Sequence, residues 1–320
     1  MLLCEHPDFE QAIIQAAAYY SQRGLKESFI EKDYYVTEVL RIIANNVGDK
    51  VIFKGGTSLS KGWNLIERLS EDIDLFLDPK LFCPELGKKQ VNRELKKIRD
   101  IIVNGSNLTF LSEESQTIGG FGRSDRFSYK QFFGGVGEVA NRVLIEIGTA
   151  SGKEPTAIVQ ISSYLAQFLR ETNVALGAED EKSFPFNLLH FRRTFVEKLF
   201  AIHGKVEIFR RDNKPIGAYA RHYYDLSQLV LQPEVINMLS SNEYEVIKQD
   251  YHLISSVNFG RDYFFPENMR FINSSAIFPR TELSNLLKKE YELQCNMLCY
   301  GTYPSWEEVL SRFNVVKELL

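Results

Sequence analysis

The fold of this chain is decided by Val51-Ile-Phe-Lys-Gly-Gly-Thr-Ser-Leu59 and by Arg68-Leu-Ser-Glu-Asp-Ile-Asp-Leu-Phe-Leu77. The first stretch opens with an apolar run from Val51 to Phe53, which is short enough for a buried strand. Directly after it, Gly55 and Gly56 allow the backbone to turn tightly and to point free N–H groups at an anion. This order of residue types predicts a strand followed by a phosphate-binding turn.

A helix is expected to follow the turn. Apolar residues recur at helical spacing between Thr57 and about Arg68, which predicts a helix over that range. Thr57 or Ser58 is suited to be its N-cap, and the positive end of the helix dipole would face the same anion.

The second stretch contains an Asp-x-Asp pair within a predicted strand. Because side chains alternate along a strand, Asp72 and Asp74 share one face while Ile73 and Leu75 share the other. Two carboxylates on one face repel each other unless a cation lies between them, and carboxylate oxygens are ligands that Mg²⁺ prefers. The pair therefore predicts a Mg²⁺ site.

The order of strand, Gly-Gly-Ser/Thr turn, helix and Asp-x-Asp strand is similar to the active-site signature of the DNA polymerase β-like nucleotidyltransferases. The wider pattern resembles the AbiEii/AbiGii toxin family, in Phe53-Lys-Gly-Gly-Thr-Ser-Leu-Ser-Lys61 and Arg68-x-Ser70-x-Asp72-Ile-Asp-Leu75. Those proteins are the nucleotidyltransferase-like toxins of bacterial type IV toxin–antitoxin and phage-abortive systems. A lone glycine pair is usually only a turn, and a lone Asp-x-Asp is usually an exposed strand face, so the interpretation depends on their joint order.

The resemblance implies an α+β fold. A polymerase β-like nucleotidyltransferase domain, with a mixed sheet flanked by helices, is expected to precede a mainly helical C-terminal domain. A change of character between residues 155 and 185 predicts a boundary there, with the first domain over 1–165 and the second over 185–320.

Composition is that of an ordinary soluble globular protein. Of the 320 residues, 44% are hydrophobic and 25% are charged, and the formal net charge is −4. This charge argues against general coating of nucleic acid but permits a local basic groove. The absence of a membrane-length apolar run and of a signal-peptide pattern predicts a cytoplasmic protein without a membrane partner.

Outside the two motifs, further elements are expected at helical or strand periodicity. Helices are predicted over residues 8–24, 26–46, 87–103 and 188–203, and strands over 108–111, 126–133 and 141–148. Glycines over 134–137 separate the last two strands, which favours an antiparallel extension of the sheet. In the second helix, Ile30-Glu-Lys-Asp-Tyr34 resembles a segment of the same toxin family, and its three charged residues are interpreted as a solvated, helix-positioning face.

Glu146 is the candidate for a third carboxylate. It shares a strand face with Leu144, opposite the apolar face formed by Val143, Ile145 and Ile147. In the polymerase β superfamily a third carboxylate on a neighbouring strand completes the metal site, so the resemblance implies this role for Glu146. An ordinary exposed glutamate is the alternative.

Two segments of the C-terminal half extend the resemblance. They are Phe195-Val-Glu-Lys-Leu-Phe-Ala201, which looks like the family's Lys-Leu motif, and Arg221-His-Tyr-Tyr-Asp-Leu226, which looks like its Arg-Asp-x-Tyr-Asp-Leu motif. The resemblance implies that Lys198 contacts nucleotide phosphates and that Asp225 helps to order the site. His222 replaces the family's first aspartate, so any role tied to that carboxylate is in doubt. Without the resemblance, Lys198 would be a solvated helix residue, and Asp225 would be the partner of Arg221 on the same helix face.

Together these motifs predict a Mg²⁺-dependent enzyme that moves a nucleotide from a nucleoside triphosphate (NTP) to an acceptor hydroxyl. Asp72, Asp74 and Glu146 are the expected metal ligands and catalytic carboxylates, with Lys198 and Asp225 assisting. The phosphates are expected to contact the turn and nearby cations: Gly55, Gly56, Thr57, Ser58, Lys54, Lys61 and Arg192.

RNA, in particular the acceptor end of a tRNA, is the acceptor that the resemblance implies. A candidate RNA-binding patch combines basic and aromatic residues between 192 and 224: Arg192, Arg193, Lys205, Phe209, Arg210, Arg211, Lys214, Tyr219, Arg221, Tyr223 and Tyr224. Three alternatives stay open, namely transfer to a protein hydroxyl, kinase-like transfer of the γ-phosphoryl group, and a catalytically silent nucleotide- or RNA-binding regulator. A toxin of this kind would have a cognate antitoxin encoded elsewhere, and the choice among the four NTPs stays open.

Overall fold

The computed structural model describes residues 1–70, 72–134 and 139–320. Glu71 of the second motif and residues 135–138 lie outside this range, so the predicted glycine separator over 134–137 lies mostly outside the described residues.

The described residues divide by their packing into two units. The first consists of Met1–Asn64, Leu69–Thr149 and Thr156–Leu189, and the second of Leu65–Arg68, Ala150–Pro155 and His190–Leu320. Neither unit is one continuous segment, because the second takes two short pieces from within the sequence of the first. The domain limits expected from the sequence, 1–165 and 185–320, remain a prediction.

A mixed sheet of eight strands, counted over the described residues, forms the centre of the first unit. The strands are β1 (Val51–Lys54), β2 (Asp72–Leu77), β3 (Thr109–Phe110), β4 (Gln116–Ile118), β5 (Gly122–Ser128), β6 (Arg142–Gly148), β7 (Thr156–Ile161) and β8 (Phe184–Leu189). They are hydrogen-bonded in the order β3-β5-β6-β2-β1-β8-β7, and β4 also pairs with β5. Strand β1 is antiparallel to β2 and parallel to β8, while β2 is parallel to β6.

The central strands β2 and β6 have one fully apolar face and carry their acidic side chains on the other. The apolar face is formed by side chains at most 3% exposed: Ile73, Leu75, Leu77, Val143, Ile145 and Ile147. Asp72, Asp74 and Glu146 alternate with them along the strands and therefore lie on the opposite face. Burial of the apolar face fixes the strand register, because a slip of one residue would turn these carboxylates into the core.

Five α-helices of the described residues belong to the first unit. They are α1 (Phe9–Tyr19), α2 (Glu27–Val47), α3 (Gly55–Lys61), α4 (Lys88–Gly105) and α5 (Tyr164–Glu171). Helix α2 is the central one, since it packs against α1, α4 and α5 and against strands β6 and β8. Helix α3, which begins at the glycine turn, packs on β1 and β2.

The second unit is helical in its described residues. Its α-helices are α6 (Phe191–Asp212), α7 (Arg221–Leu229), α8 (Pro233–Leu239), α9 (Asn242–Phe259), α10 (Thr281–Leu298) and α11 (Trp306–Val315). Helix α6 packs against α7, α8 and α9, and α7 packs against α10 and α11. Tyr223 of α7 is fully buried there, where its hydroxyl donates to the carbonyl of Ala276 at 2.7 Å.

This architecture confirms the predicted α+β class, but individual elements differ from the sequence-based expectations. Helix α3 ends at Lys61 instead of near Arg68, because glycine, a poor helix former, follows at position 62 and Asn64 takes a left-handed backbone conformation with φ of 53°. Strands β7 and β8 were not predicted, since Pro185 and exposed apolar residues blur their alternation. Helix α6 continues through Gly204, because one glycine costs an otherwise well-packed helix only about 1 kcal/mol.

The expectation of a solvated face at Glu31, Lys32 and Asp33 is wrong. These side chains are 0%, 1% and 9% exposed. Each has a partner within the first unit, as buried charges require. Sequence periodicity missed this because charged residues normally mark the outside of a helix.

No helix in the described part of the chain combines the length and the apolar character that crossing a membrane requires.

Candidate active site

Asp74 lies directly against the glycine turn. Gly55 has φ of 76°, and a Cβ atom placed on it would be only 1.8 Å from Asp74 Oδ2. Both the left-handed backbone and the close approach of the carboxylate therefore require glycine at this position. The glycine turn and the Asp-x-Asp strand are separate motifs in the sequence, and in the structure they lie in contact.

Glu146 is the direct neighbour of Asp74 in the sheet. The parallel register of β2 and β6 pairs Asp74 with Glu146 and Asp72 with Leu144. On the other side, the antiparallel register of β1 and β2 pairs Asp74 with Lys54. Paired residues carry their side chains on the same face, with Cβ atoms about 5 Å apart. Lys54, Asp74 and Glu146 thus form one row across three strands.

The carboxylates on this face of the sheet suit a hard divalent cation. Asp72 and Asp74 are partly exposed and Glu146 is exposed, so all three are accessible on their face. Within the described residues, no group of three or more His, Cys, Asp or Glu side chains is arranged to hold a metal ion. Mg²⁺ is usually held by one or two carboxylates together with substrate phosphates, so the donor set of Asp72 and Asp74 fits it.

The hydroxyls of the turn are used to fix its shape. Thr57 Oγ1 donates to the main-chain carbonyl of Asp72, and Ser58 Oγ donates to the carbonyl of Gly55 at 2.9 Å. Both residues are buried. Thr57 thereby ties α3 to β2, while the first backbone N–H groups of a helix lack intrahelical partners and can face a ligand.

Lys61, an expected phosphate contact, is paired with a carboxylate. Its Nζ forms an ion pair with the carboxylate of Asp33 in α2, and the two side chains are 6% and 9% exposed. Its predicted contact with a nucleotide therefore gains no support from this geometry.

In the second unit, Asp225 is held by two cations. Arg68 donates hydrogen bonds to its carboxylate from both Nε and Nη2, each at 2.7 Å, and Lys198 Nζ lies 2.7 Å from Oδ2. The side chains of Arg68 and Asp225 are only 2% and 0% exposed. Helical spacing alone would pair Asp225 with Arg221, whereas its bidentate partner is Arg68, from a segment 157 residues away in the chain.

The protonation states of this cluster follow from burial and charge. Burial by itself would raise the pKa of Asp225, but the charges of Arg68 and Lys198 outweigh it and hold that pKa well below its usual range. Burial lowers the pKa of Lys198, and the nearby Asp225 opposes this effect. The structure thus assembles two predicted residues, Lys198 and Asp225, around an arginine that sequence reasoning did not assign to the site.

His222 occupies the position of the family's first aspartate. Its Nδ1 is 3.2 Å from Lys198 Nζ and 3.7 Å from Asp225 Oδ2. Burial, and then the charge of Lys198, lower the pKa of His222 to about 3. The imidazole is therefore neutral at pH 7, where its Nδ1 can accept a hydrogen bond from the lysine. The cluster of Arg68, Lys198, Asp225 and His222 carries one surplus positive charge when Lys198 is protonated.

Arg192 and several residues of the predicted RNA-binding patch are ion-paired or buried, which their sequence pattern did not indicate. Arg192 forms an ion pair with Glu243 at 3.2 Å. Tyr223, Tyr224 and Arg193 are at most 2% exposed, so they are not available for base stacking or for backbone contacts. Three further cations are neutralised by acidic neighbours: Arg210, Arg211 and Lys214.

A family model for the nucleotidyl transferase AbiEii toxins of type IV toxin–antitoxin systems matches residues 39–312. The chain belongs to this family. It is an AbiEii nucleotidyltransferase, and the match extends over both units, including the glycine turn, the Asp-x-Asp strand and the Lys198–Asp225 pair.

The fold of this AbiEii protein is shared with a solved structure. The chain is similar to MenT4, a nucleotidyltransferase toxin from Mycobacterium tuberculosis H37Rv, with 16% sequence identity and a TM-score of 0.54 over 95% of this chain and 88% of that chain. At this identity the likeness shows a common fold. No curated protein matches the chain at a significant level.

Proposed function

We propose that this AbiEii nucleotidyltransferase moves a nucleotide from an NTP to a hydroxyl group of an RNA, in a reaction that requires Mg²⁺. The observation that carries the proposal is the row of carboxylates on one sheet face, with Asp74 pressed against Gly55 of the turn. A phosphate-binding turn beside paired carboxylates is what transfer of a charged phosphoryl group demands.

Asp72 and Asp74 would hold the Mg²⁺ ion, and Glu146, the neighbour of Asp74 in the sheet, would act as the general base. When bound, Mg²⁺ neutralises charge on the triphosphate. The acceptor oxygen forms a bond to the α-phosphorus, and the bond from that phosphorus to the bridging oxygen of pyrophosphate breaks. The hydroxyl proton passes to Glu146, and pyrophosphate leaves.

The backbone of Gly55, Gly56 and Thr57 would hold the phosphates, and the resemblance to the family makes the ammonium of Lys198 a further candidate phosphate contact. The role of Lys198 as a phosphate contact is supported by its position beside Asp225, in a cluster whose net charge is +1. Arg192 and Lys54 are further candidate cations, and Ser58 would act through its backbone because its hydroxyl bonds Gly55.

An RNA acceptor is favoured by the outer face of α4. This helix contains six basic and two acidic side chains, although the whole chain has a net charge of −4. Lys88, Lys89, Arg93 and Lys96 are exposed and form no ion pair with any described residue. Such a concentration of unpaired cations is complementary to a phosphate backbone. With NTPs and RNA as substrates, we place the reaction in the cytoplasm, where a cognate antitoxin would restrain it.

The test incubates the purified protein with total bacterial RNA, Mg²⁺ and each of the four α-³²P NTPs, beside an Asp72→Ala variant. We expect label in a tRNA-sized band that disappears in the variant, which also identifies the nucleotide. Label in protein bands would replace RNA by a protein acceptor. Label that appears only from a γ-³²P NTP would replace nucleotidyl by phosphoryl transfer. No label in any acceptor would contradict the proposal.

A further inference from the structure

One turn of α2 carries three consecutive charged side chains into the interior of the first unit. Glu31, Lys32 and Asp33 point in different directions around the helix, and each reaches a different part of the chain. Glu31 accepts hydrogen bonds from the backbone N–H groups of Phe132 and Phe133, at 2.8 and 3.1 Å.

Lys32 and Asp33 reach two of the elements that form the candidate site, β6 and α3. Lys32 Nζ donates to the main-chain carbonyls of Ala140, at 3.1 Å, and of Arg142, where β6 begins. Strand β6 is the one that carries Glu146. Asp33 binds Lys61 Nζ with Oδ1, while its Oδ2 accepts from the backbone N–H of Tyr164 at 2.8 Å.

Lys61 is the last residue of α3, the helix that starts at the glycine turn. With 7 residues, α3 is about 10 Å long, so a fixed C-terminal end also fixes where its first residues lie. The tolerance at that first turn is small, because Asp74 Oδ2 already occupies the space beside Gly55. A shift of α3 by about 1 Å would move the turn away from this carboxylate or into it.

If the Asp33–Lys61 ion pair served only stability, it would be an inefficient contact between two helices. Removing two charges from water costs free energy that their attraction often fails to recover, and a well-packed apolar pair of similar size stabilises as well or better. What a buried, hydrogen-bonded ion pair provides is one defined geometry.

We propose that Asp33 and Lys61 are positioning residues of the transfer reaction: their ion pair holds α3 so that the glycine turn stays against Asp74. This inference rests on the proposed function. It assigns Lys61 to its buried partner and not to the nucleotide, and it makes α2 the element that sets the relative position of the turn and, through Lys32, of β6.

The test compares Asp33→Asn, Lys61→Met and the double variant. In a positioning role, each single variant lowers kcat/KM roughly 10- to 100-fold, because small misplacements of reacting groups have effects of this size. The double variant is no worse than either single one, because both remove the same interaction. Lys61→Arg keeps the pair and restores most of the activity. If Lys61 instead contacts the phosphates, Lys61→Met loses NTP affinity while Asp33→Asn keeps wild-type activity, and that result overturns the proposal.

A matched control separates positioning from general stability. Arg123 and Asp125 of β5 form another ion pair of the first unit, at 2.6 Å and with side chains 7% and 4% exposed. Within the described residues, Arg123 and Asp125 form side-chain hydrogen bonds with each other and with Thr117 of β4, and none with α3. Asp125→Asn is expected to lower Tm without lowering kcat/KM at a temperature where the protein stays folded.

Hydrogen exchange provides a readout that does not depend on activity. Amide exchange over residues 55–61 should rise at least about tenfold in Asp33→Asn and Lys61→Met but not in Asp125→Asn. If the wild-type protein transfers no nucleotide, the proposed function fails while this measurement still shows whether the pair holds the turn. Unchanged exchange over 55–61 in both variants contradicts the positioning role.

Discussion

At the scale of single residues, the contact between Gly55 and Asp74 links the two motifs of the sequence. A glycine pair and an Asp-x-Asp pair can each be read from the chain, but their distance cannot. The structure shows that the carboxylate oxygen of Asp74 fills the place that a side chain at Gly55 would take. The glycine is therefore needed for space as well as for its positive φ.

Gly55→Ala is expected to abolish most of the transfer activity. The added methyl group has to displace Asp74, and a shift of about 1 Å in a reacting group can reduce the rate about 100-fold. The matched control is Gly120→Ala, because Gly120 has φ of 75° and no atom lies within 4 Å of the place that its new methyl group would take. Both variants carry the same backbone strain, so equal loss of kcat in the two would show that strain, and not the Asp74 contact, matters.

The neutral His222 should make stability depend on pH in a defined window. The pKa of His222 is about 3 in the folded protein, against about 6.5 in an unfolded chain. Between these values only the unfolded chain binds the proton, so the free energy of unfolding rises with pH, by up to about 1.4 kcal/mol per pH unit. Above about pH 6.5 this contribution is fully present and constant.

His222→Asn removes this titration, so denaturant unfolding of the two proteins at pH 4, 5, 6 and 7 isolates it. The variant should show a shallower loss of stability on acidification than the wild type. His190 and His203, whose pKa values are also lowered by burial, are present in both proteins and cancel in the comparison. If the free energies of unfolding of the two proteins fall in parallel on acidification, His222 takes up its proton in the folded state as readily as in the unfolded chain.

At the scale of elements, the Arg68–Asp225–Lys198 cluster joins α6, α7 and the segment Leu65–Arg68. That segment precedes the Asp-x-Asp strand by only a few residues. Its backbone is also held, since the N–H of Glu67 donates to Tyr224 Oη at 2.9 Å and Arg68 forms a β-bridge with Cys299. The charges of the cluster thus hold the segment Leu65–Arg68 on the helices of the second unit.

Arg68→Met should destabilise the protein by about 3 kcal/mol, the lower end of the range for breaking a buried pair, because Lys198 still balances Asp225. Arg221→Met, which removes the partner that helical spacing suggests, should change stability by less than about 1 kcal/mol. Denaturant unfolding measures both, and a larger loss for Arg221→Met than for Arg68→Met would contradict the assignment of partners.

The fold class and the core of the site could be predicted because both depend on short-range patterns. The turn, the Asp-x-Asp strand and the alternation around Glu146 are each contained within a few residues. The pairs Lys61–Asp33 and Arg68–Asp225 join residues 28 and 157 positions apart, and no local pattern contains them. The end of α3 was not predicted because apolar residues continue at helical spacing beyond Lys61, while the left-handed conformation of Asn64 leaves no mark in that pattern.

At the scale of the whole molecule, charge is distributed unevenly. The chain is acidic overall, and α4 in the first unit has an exposed basic face. In the second unit, several basic residues form ion pairs, among them Arg192, Arg210 and Arg211. Helix α4 buries Val91, Leu95, Ile98 and Ile102, so its cations lie on the side that faces solvent. Contact with RNA by this face would be electrostatic and independent of base sequence.

Replacing Lys88, Lys89, Arg93 and Lys96 together by Gln should weaken RNA binding and reduce the slope of log K against log salt by about 3, since each phosphate contact contributes about 0.7 to 0.9. The control replaces four scattered exposed lysines, Lys26, Lys182, Lys214 and Lys289, and has the same formal net charge. NTP binding should be unchanged in both variants. An equal effect of the two sets on the salt slope would mean that only the overall charge is sensed.

The interleaving of the two units in the sequence also limits how such a protein can be cut and recombined. Because Leu65–Arg68 and Ala150–Pro155 pack with the C-terminal helices, no single cleavage point separates the chain into its two units. A gene fragment that stops at Leu189 would encode Arg68 without the carboxylate that neutralises it, leaving a buried guanidinium unpaired or forcing its segment into solvent. The catalytic sheet and the helical unit are therefore expected to be inherited, exchanged and lost together, as one genetic module.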